Sequence, residues 1–288
     1  MSKRNPKTYL LLWLASLLVV LPAGSQSVLA MTPDGWDAAV PTMGLLPAHP
    51  SEAVLVAPVI LPRMAPELAL TTYQDRAARQ TTAPVSYSAS TVIDAELPDT
   101  AQRGEYELRR RFIAPHTLQF TPVRFSGDGF VKSNVIVRLL QSEVDHVTKG
   151  EGPQTAISEA NYKFSYKGVE DLEGRPMHVF HVKPRKKRPG LFKGRILVDA
   201  VTGSLRRAEG TLVKSPSFFV KKIEFVQDYA DFGGITLPVH VHSVAKTRLV
   251  GRAVVEIFTR DYSLEPSAPA EGASSASATL PGSAAGSN

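Results

Sequence analysis

Cysteine is absent from the 288 residues. Its absence excludes disulfide frameworks, thiolate zinc sites, cysteine nucleophiles and a lipid-modified N-terminal cysteine. Past residue 30 there is also no long apolar run, since none approaches the roughly 18 residues needed to cross a bilayer. Catalytic signatures are missing too. Gly150-Glu151-Gly152 lacks the third glycine and the preceding strand of a dinucleotide loop. No Gly-x-Ser-x-Gly elbow or Walker loop occurs, and no spacing of Ser, His and Asp singles out a triad. The expectation is a protein that is not an enzyme and needs no cofactor. Apolar content, by contrast, is 43%, which excludes wholesale disorder, and the length suffices for one or two packed domains.

The formal charge of +6 is unevenly spread, because Lys3, Arg4 and Lys7 contribute three of it before residue 30 without any acid. Between Leu68 and Leu264 stand 29 basic and 21 acidic residues, a local balance of +8. The flanks of that region are acidic, carrying Asp34, Asp37, Glu52, Glu67, Glu265 and Glu271 against Arg63 alone. A basic core of this size favours anionic surfaces without requiring nucleic acid.

Residues 1–30 read as a secretory signal peptide. The basic start is followed by the apolar run Tyr9 to Leu21, then by the helix breakers Pro22 and Gly24, and finally by Val28-Leu29-Ala30 before a cut after Ala30. The apolar run is too short for a membrane anchor, spanning ~20 Å against a hydrocarbon core of ~30 Å. The expected location is therefore the periplasm, where nucleic acid is not a partner. Residues 31–66 hold seven prolines, at 33, 41, 47, 50, 58, 62 and 66, and read as an extended linker. Residues 265–288, almost entirely Ser, Ala, Gly and Pro after Glu265, read as a disordered tail. One domain, 67–264, lies between them.

That domain opens with a helical candidate over 67–80, after which the hydrophobic period changes to two. Tyr87, Ala89, Thr91, Ile93, Ala95 and Leu97 share one face of a first strand. Tyr106, Leu108, Arg110 and Phe112 share a face of the second, and Leu118 and Phe120 continue it in the third. Gly127-Asp128-Gly129 interrupts the strands, and a helix follows with Val131, Val135/Ile136, Leu139/Leu140, Val144 and Val147 at three- and four-residue spacing. Strands then resume at 161–169, 176–183, 193–199, 205–214, 220–229, 235–244 and 248–262, joined by turn-like segments. The expected fold is mainly β (α+β): about ten strands in meander order, forming a curved antiparallel sheet. This sheet makes an incomplete barrel lidded by the two amphipathic helices.

The run RRRFIAPHTLQF with the following SGDG resembles strands two and three of the LolA-like superfamily of envelope lipoprotein carriers. GLFKGRILVDAVTGSLRRAEG, SPSFFVKKIEFV and GGITLPVHVHS resemble the second half of its outer membrane lipoprotein-sorting relatives. The resemblance covers roughly 68–264 and rests on turns and strand ends, so it speaks to fold more than to activity. It implies helices roofing an apolar cavity that takes the acyl chains of a lipid or lipoprotein. Where the carriers place an arginine directly before the proline after strand two, this chain has Ala114 before Pro115. It also has a helix at about 129–149 where they continue with strand.

Several residues are candidates for function. Arg110, on an apolar strand face, needs a partner. It either holds an anionic headgroup or turns its charge outward. Tyr106, Phe112, Phe120, Phe164, Tyr166, Phe180, Phe225 and Phe258 either line an acyl pocket or form ordinary core. Arg185, Lys186, Lys187 and Arg188 make a basic loop that either touches an anionic membrane surface or envelope protein, or is simply solvated. Phe218 and Phe219, in an expected hairpin loop, are either a further membrane or partner contact or a plug on the core. His240 and His242 share a strand face at a spacing that can ligate zinc, but no third ligand is evident and no metal is expected.

Overall fold

A computed structural model of the chain describes residues 62–215, 220–248 and 250–265. The expected signal peptide, most of the proline-rich linker and nearly all of the tail lie outside these residues, as do Phe218 and Phe219.

Helix α1, Pro66–Thr82, starts on a proline whose missing N–H costs nothing in the first turn, with Glu67 at its positive end and Arg79 at its negative end. Three strands follow: β1 (Tyr87–Leu97), β2 (Gln102–Ile113) and β3 (Thr117–Gly127). The helical insertion comprises α2 (Gly129–Val131), a π-helical stretch (Lys132–Ile136), α3 (Val137–Thr148) and the short α4 (Gly152–Thr155). Seven strands complete the chain: β4 (Tyr162–Leu172), β5 (Arg175–Pro184), β6 (Phe192–Asp199), β7 (Leu205–Leu212), β8 (Val220–Phe232), β9 (Ile235–Thr247) and β10 (Arg252–Leu264).

All ten strands form one antiparallel sheet, in the order β3-β2-β1-β10-β9-β8-β7-β6-β5-β4. This is not the single meander that short connections suggest. Two meanders, β1–β3 and β4–β10, are fused where the first strand pairs with the last along Tyr87↔Leu264 to Glu96↔Val254. The edges are β3 and β4, so the sheet stays open at the point where the chain leaves it for the helical insertion.

The expected strand faces are realised. Along β1 every second residue from Tyr87 to Leu97 is buried, and along β2 Gly104, Tyr106, Leu108, Arg110 and Phe112 are buried together. The main core joins these faces to Ala69 and Tyr73 of α1, to Val131, Val135, Ile136, Leu139 and Leu140 of the insertion, and to β5–β10. A second cluster gathers Tyr87, Phe112, Leu118, Val147, Ile235 and Leu237. Helix α1 is tied down by polar contacts. The Tyr73 hydroxyl donates to the Ile157 carbonyl at 2.9 Å, Gln80 donates to the Thr236 carbonyl at 3.2 Å, and Arg76 meets Asp231 at 2.7 Å.

Candidate functional site

The insertion begins at a backbone position that glycine alone fits well. Gly127 has φ +109°, and a Cβ there would fall on the carbonyl oxygen of Arg103. Asp128 then caps the helix, its Oδ1 accepting from the Phe130 N–H at 2.7 Å. So fixed, α3 lays Leu139, Leu140, Glu143, His146 and Val147 against the sheet.

Glu143 is the partner that Arg110 requires. Arg110 Nη1 lies 2.5 Å from Glu143 Oε1 and Nη2 donates to Oε2 at 2.7 Å, with both side chains at most 2% exposed. The Phe120 ring sits 5.3 Å from the guanidinium carbon. Burial, the largest single effect, would lower the Arg110 pKa, but the Glu143 carboxylate together with Tyr87 and Tyr262 outweighs it, holding the guanidinium above its ordinary value and charged at any working pH. Arg110 therefore faces inward with its bidentate donors occupied by the protein's own helix. Sequence reasoning missed Glu143, although a signal was present: it stands four residues after Leu139 and four before Val147, on the apolar stripe.

Between the C-terminal half of α1 and the turn after α3 lies a cavity of about 250 Å³. Tyr73, Ala77, Pro115, His146, Val147 and Ile157 contribute to its wall. His146 is 3% exposed, its Nδ1 3.2 Å from Glu151 Oε2. Burial lowers its pKa against the opposing pull of Glu151, so the ring is neutral at pH 7. A smaller depression of about 180 Å³ lies beside α3, between Tyr106, Leu108, Phe120, Pro122, Val137 and Leu140.

The aromatic candidates are not brought to one place. Tyr106 and Phe120 border the depression beside α3. Phe112 belongs to the second cluster, and Phe164 packs at the margin of the main one. Phe180 and Phe225 are buried in the main core, Phe225 edge-on to Phe192 with ring centres 5.0 Å apart. Tyr166 is 42% exposed on the edge strand β4, its ring against Phe180 and His178. Phe258 is 40% exposed because Ile257 and Thr259 on either side take the buried face of β10; it stacks instead on His240, 4.7 Å away. The shared lining read from period two therefore needs correction for Tyr166 and Phe258.

The basic loop divides as well. Arg185 Nε donates to the Glu159 and Tyr162 carbonyls at 2.6 and 3.1 Å, and Arg188 donates to Asn161 Oδ1 at 2.8 Å. Lys186 and Lys187 are exposed. His240 is held between Asp228 (3.2 Å) and Glu256 (2.6 Å), and His242 meets Glu256 at 2.6 Å. Among the described residues no group of three or more such side chains is arranged to hold a metal ion. None of the described helices is long and apolar enough to cross a membrane.

The fold is thus an open antiparallel half-barrel roofed by helices. No family model matches the chain, and no curated protein does. Solved structures similar to it include an outer membrane lipoprotein-sorting protein domain from Vibrio parahaemolyticus, at 11% identity and a TM-score of 0.39, over 72% of this chain and 96% of that one. A DUF1329 family protein from Desulfovibrio piger is similar at 11% identity and a TM-score of 0.39, over 71% and 93%. A LolA superfamily protein from Nitrosomonas europaea is similar at 9% identity and a TM-score of 0.32, over 70% and 94%.

Proposed function

We propose that this protein is a periplasmic carrier that holds an acyl chain, of a lipid or of a lipoprotein, between its half-barrel and its helices. The observation that carries this reading is the cavity between α1, the β2–β3 turn and the α3–α4 turn, because its wall is largely apolar. The surrounding core is filled by the protein's own side chains. A chain longer than the cavity therefore enters by parting α1 from the insertion rather than by occupying a ready-made void. Each methylene taken out of water there contributes ~0.8 kcal/mol.

The test is native mass spectrometry of the mature protein purified gently from its own envelope, followed by lipid extraction. A discrete adduct of phospholipid or acyl-chain mass is expected. Ala77→Trp, which fills the cavity from α1, is expected to remove the adduct while the protein stays folded. A bare mass with no extractable lipid would overturn the carrier reading.

A further inference from the structure

A larger indentation lies on the opposite side of the sheet from the helices, and neither the fold nor the carrier reading uses it. It measures about 870 Å³ and crosses β4, β5, β6, β7 and β8. The register explains its shape. Phe164, Val182, Gly194, Gly210 and Phe225 stand side by side across the five strands. Phe164, Val182 and Phe225 send their side chains toward the core, so this row leaves its backbone as a floor. The two glycines at its centre allow β6 and β7 to close up, since a Cβ on Gly194 would fall on the Glu209 carbonyl oxygen. One wall is the row Lys163, Lys183, Lys193, Thr211 and Glu224; the other is Ser165, His181, Arg195, Glu209 and Val226.

The charges in this trough are unbalanced at one end. Arg195 is satisfied by Glu170 and Glu209, and Glu224 by Lys222 at 2.7 Å. Lys163 and Lys183 are directly opposite each other across the β4–β5 pair, and the next step of the β5–β6 register sets Lys193 beside Lys183. Lys167 lies past the opposite wall, two residues beyond Ser165 on β4. All four are exposed, and none has a carboxylate within ion-pair distance among the described residues. Like charges directly opposed in a sheet are destabilising, and an anion laid between them removes that repulsion.

We propose that this trough is a docking site for an extended acidic polypeptide segment of a partner protein. The dimensions select an extended chain over a flat surface. Rows two residues apart leave a channel of about 7 Å, and five strands span roughly 19 Å, the length of about six extended residues. A planar bilayer meets the rims of such a channel but not its floor. The site lies on the face away from the acyl cavity and does not depend on it.

The probe is a fluorescein-labelled decaglutamate titrated with the mature protein and read by anisotropy. Binding is expected in 50 mM salt and about tenfold weaker in 500 mM. Lys163→Glu, Lys183→Glu and Lys193→Glu together are expected to weaken it at least tenfold, and the corresponding Gln variants to do so partially. Lys186→Glu with Lys187→Glu is expected to change it less than threefold. Circular dichroism and the acyl adduct confirm that the variants keep the fold and the other site. Undiminished binding by the triple Glu variant would overturn the assignment. So would failure to bind decaglutamate at low salt combined with lysine-dependent binding to vesicles containing 30% phosphatidylglycerol, which would make the trough a lipid-surface contact.

Discussion

A guanidinium on a buried strand face is a liability until a carboxylate reaches it, and in this protein the carboxylate comes from 33 residues further along the chain. The Arg110–Glu143 pair thereby fixes where α3 lies on β2. Glu143→Gln strips Arg110 of its counter-charge and is expected to lower stability by about 3–5 kcal/mol, measured by urea denaturation. Arg110→Met combined with Glu143→Leu is expected to restore wild-type stability or exceed it by up to about 4 kcal/mol. A single variant as stable as wild type would show that the pair does not position the helix. His146 gives a pH dependence of defined sign. Burial holds its folded-state pKa below the ordinary value of 6.5, so the unfolded chain takes up the proton first. Its contribution is complete above that value and is lost as pH falls through 6.5 and below. Melting temperatures of wild type and His146→Gln at pH 7.5 and 5 are expected to converge or cross on acidification, the wild type losing more. Arg110 was legible in the sequence as a residue needing a partner. The place of Glu143 on the apolar stripe of its helix was legible too, but not that it meets Arg110, because that depends on where α3 is laid against the sheet.

Among the elements, strands were legible to within a few residues because alternation is a local property of the chain. The largest error is instructive. The last strand, read from residue 248, begins at Arg252. The Thr247 backbone and hydroxyl both donate to the Gly251 carbonyl, at 2.7 and 2.9 Å, and Val250 N–H donates back to the hydroxyl at 3.1 Å, closing a turn ahead of the strand. The helical insertion was legible from its three- and four-residue spacing. Its π-helical stretch at Lys132–Ile136, which buries two consecutive residues, Val135 and Ile136, was not. How the insertion departs from β3 depends on Gly127. Gly127→Ala forces a Cβ into the Arg103 carbonyl at a left-handed φ and is expected to cost about 1–3 kcal/mol. Thermal denaturation checks this, with hydrogen exchange showing faster opening at residues 129–148. No loss of stability would mean that the β3–α2 junction relaxes without strain.

At the scale of the molecule, the pairing of β1 with β10 brings together residues more than 150 positions apart and turns two meanders into one curved sheet. That single pairing leaves β3 and β4 as the open edges and puts the helices over one face only. It also separates the two candidate sites, the apolar cavity under the helices and the basic trough behind the sheet. Composition and periodicity determined the class of fold, the number of strands, the two covering helices and the basic character of 68–264, since each of these is written in neighbouring side chains. Tertiary structure alone decided which strands pair across the seam, that Glu143 neutralises Arg110, that Phe258 faces out, and that Lys163, Lys183 and Lys193 stand in one row. Those outcomes depend on the register between distant segments, and register is set only when the whole hydrophobic face is buried at once.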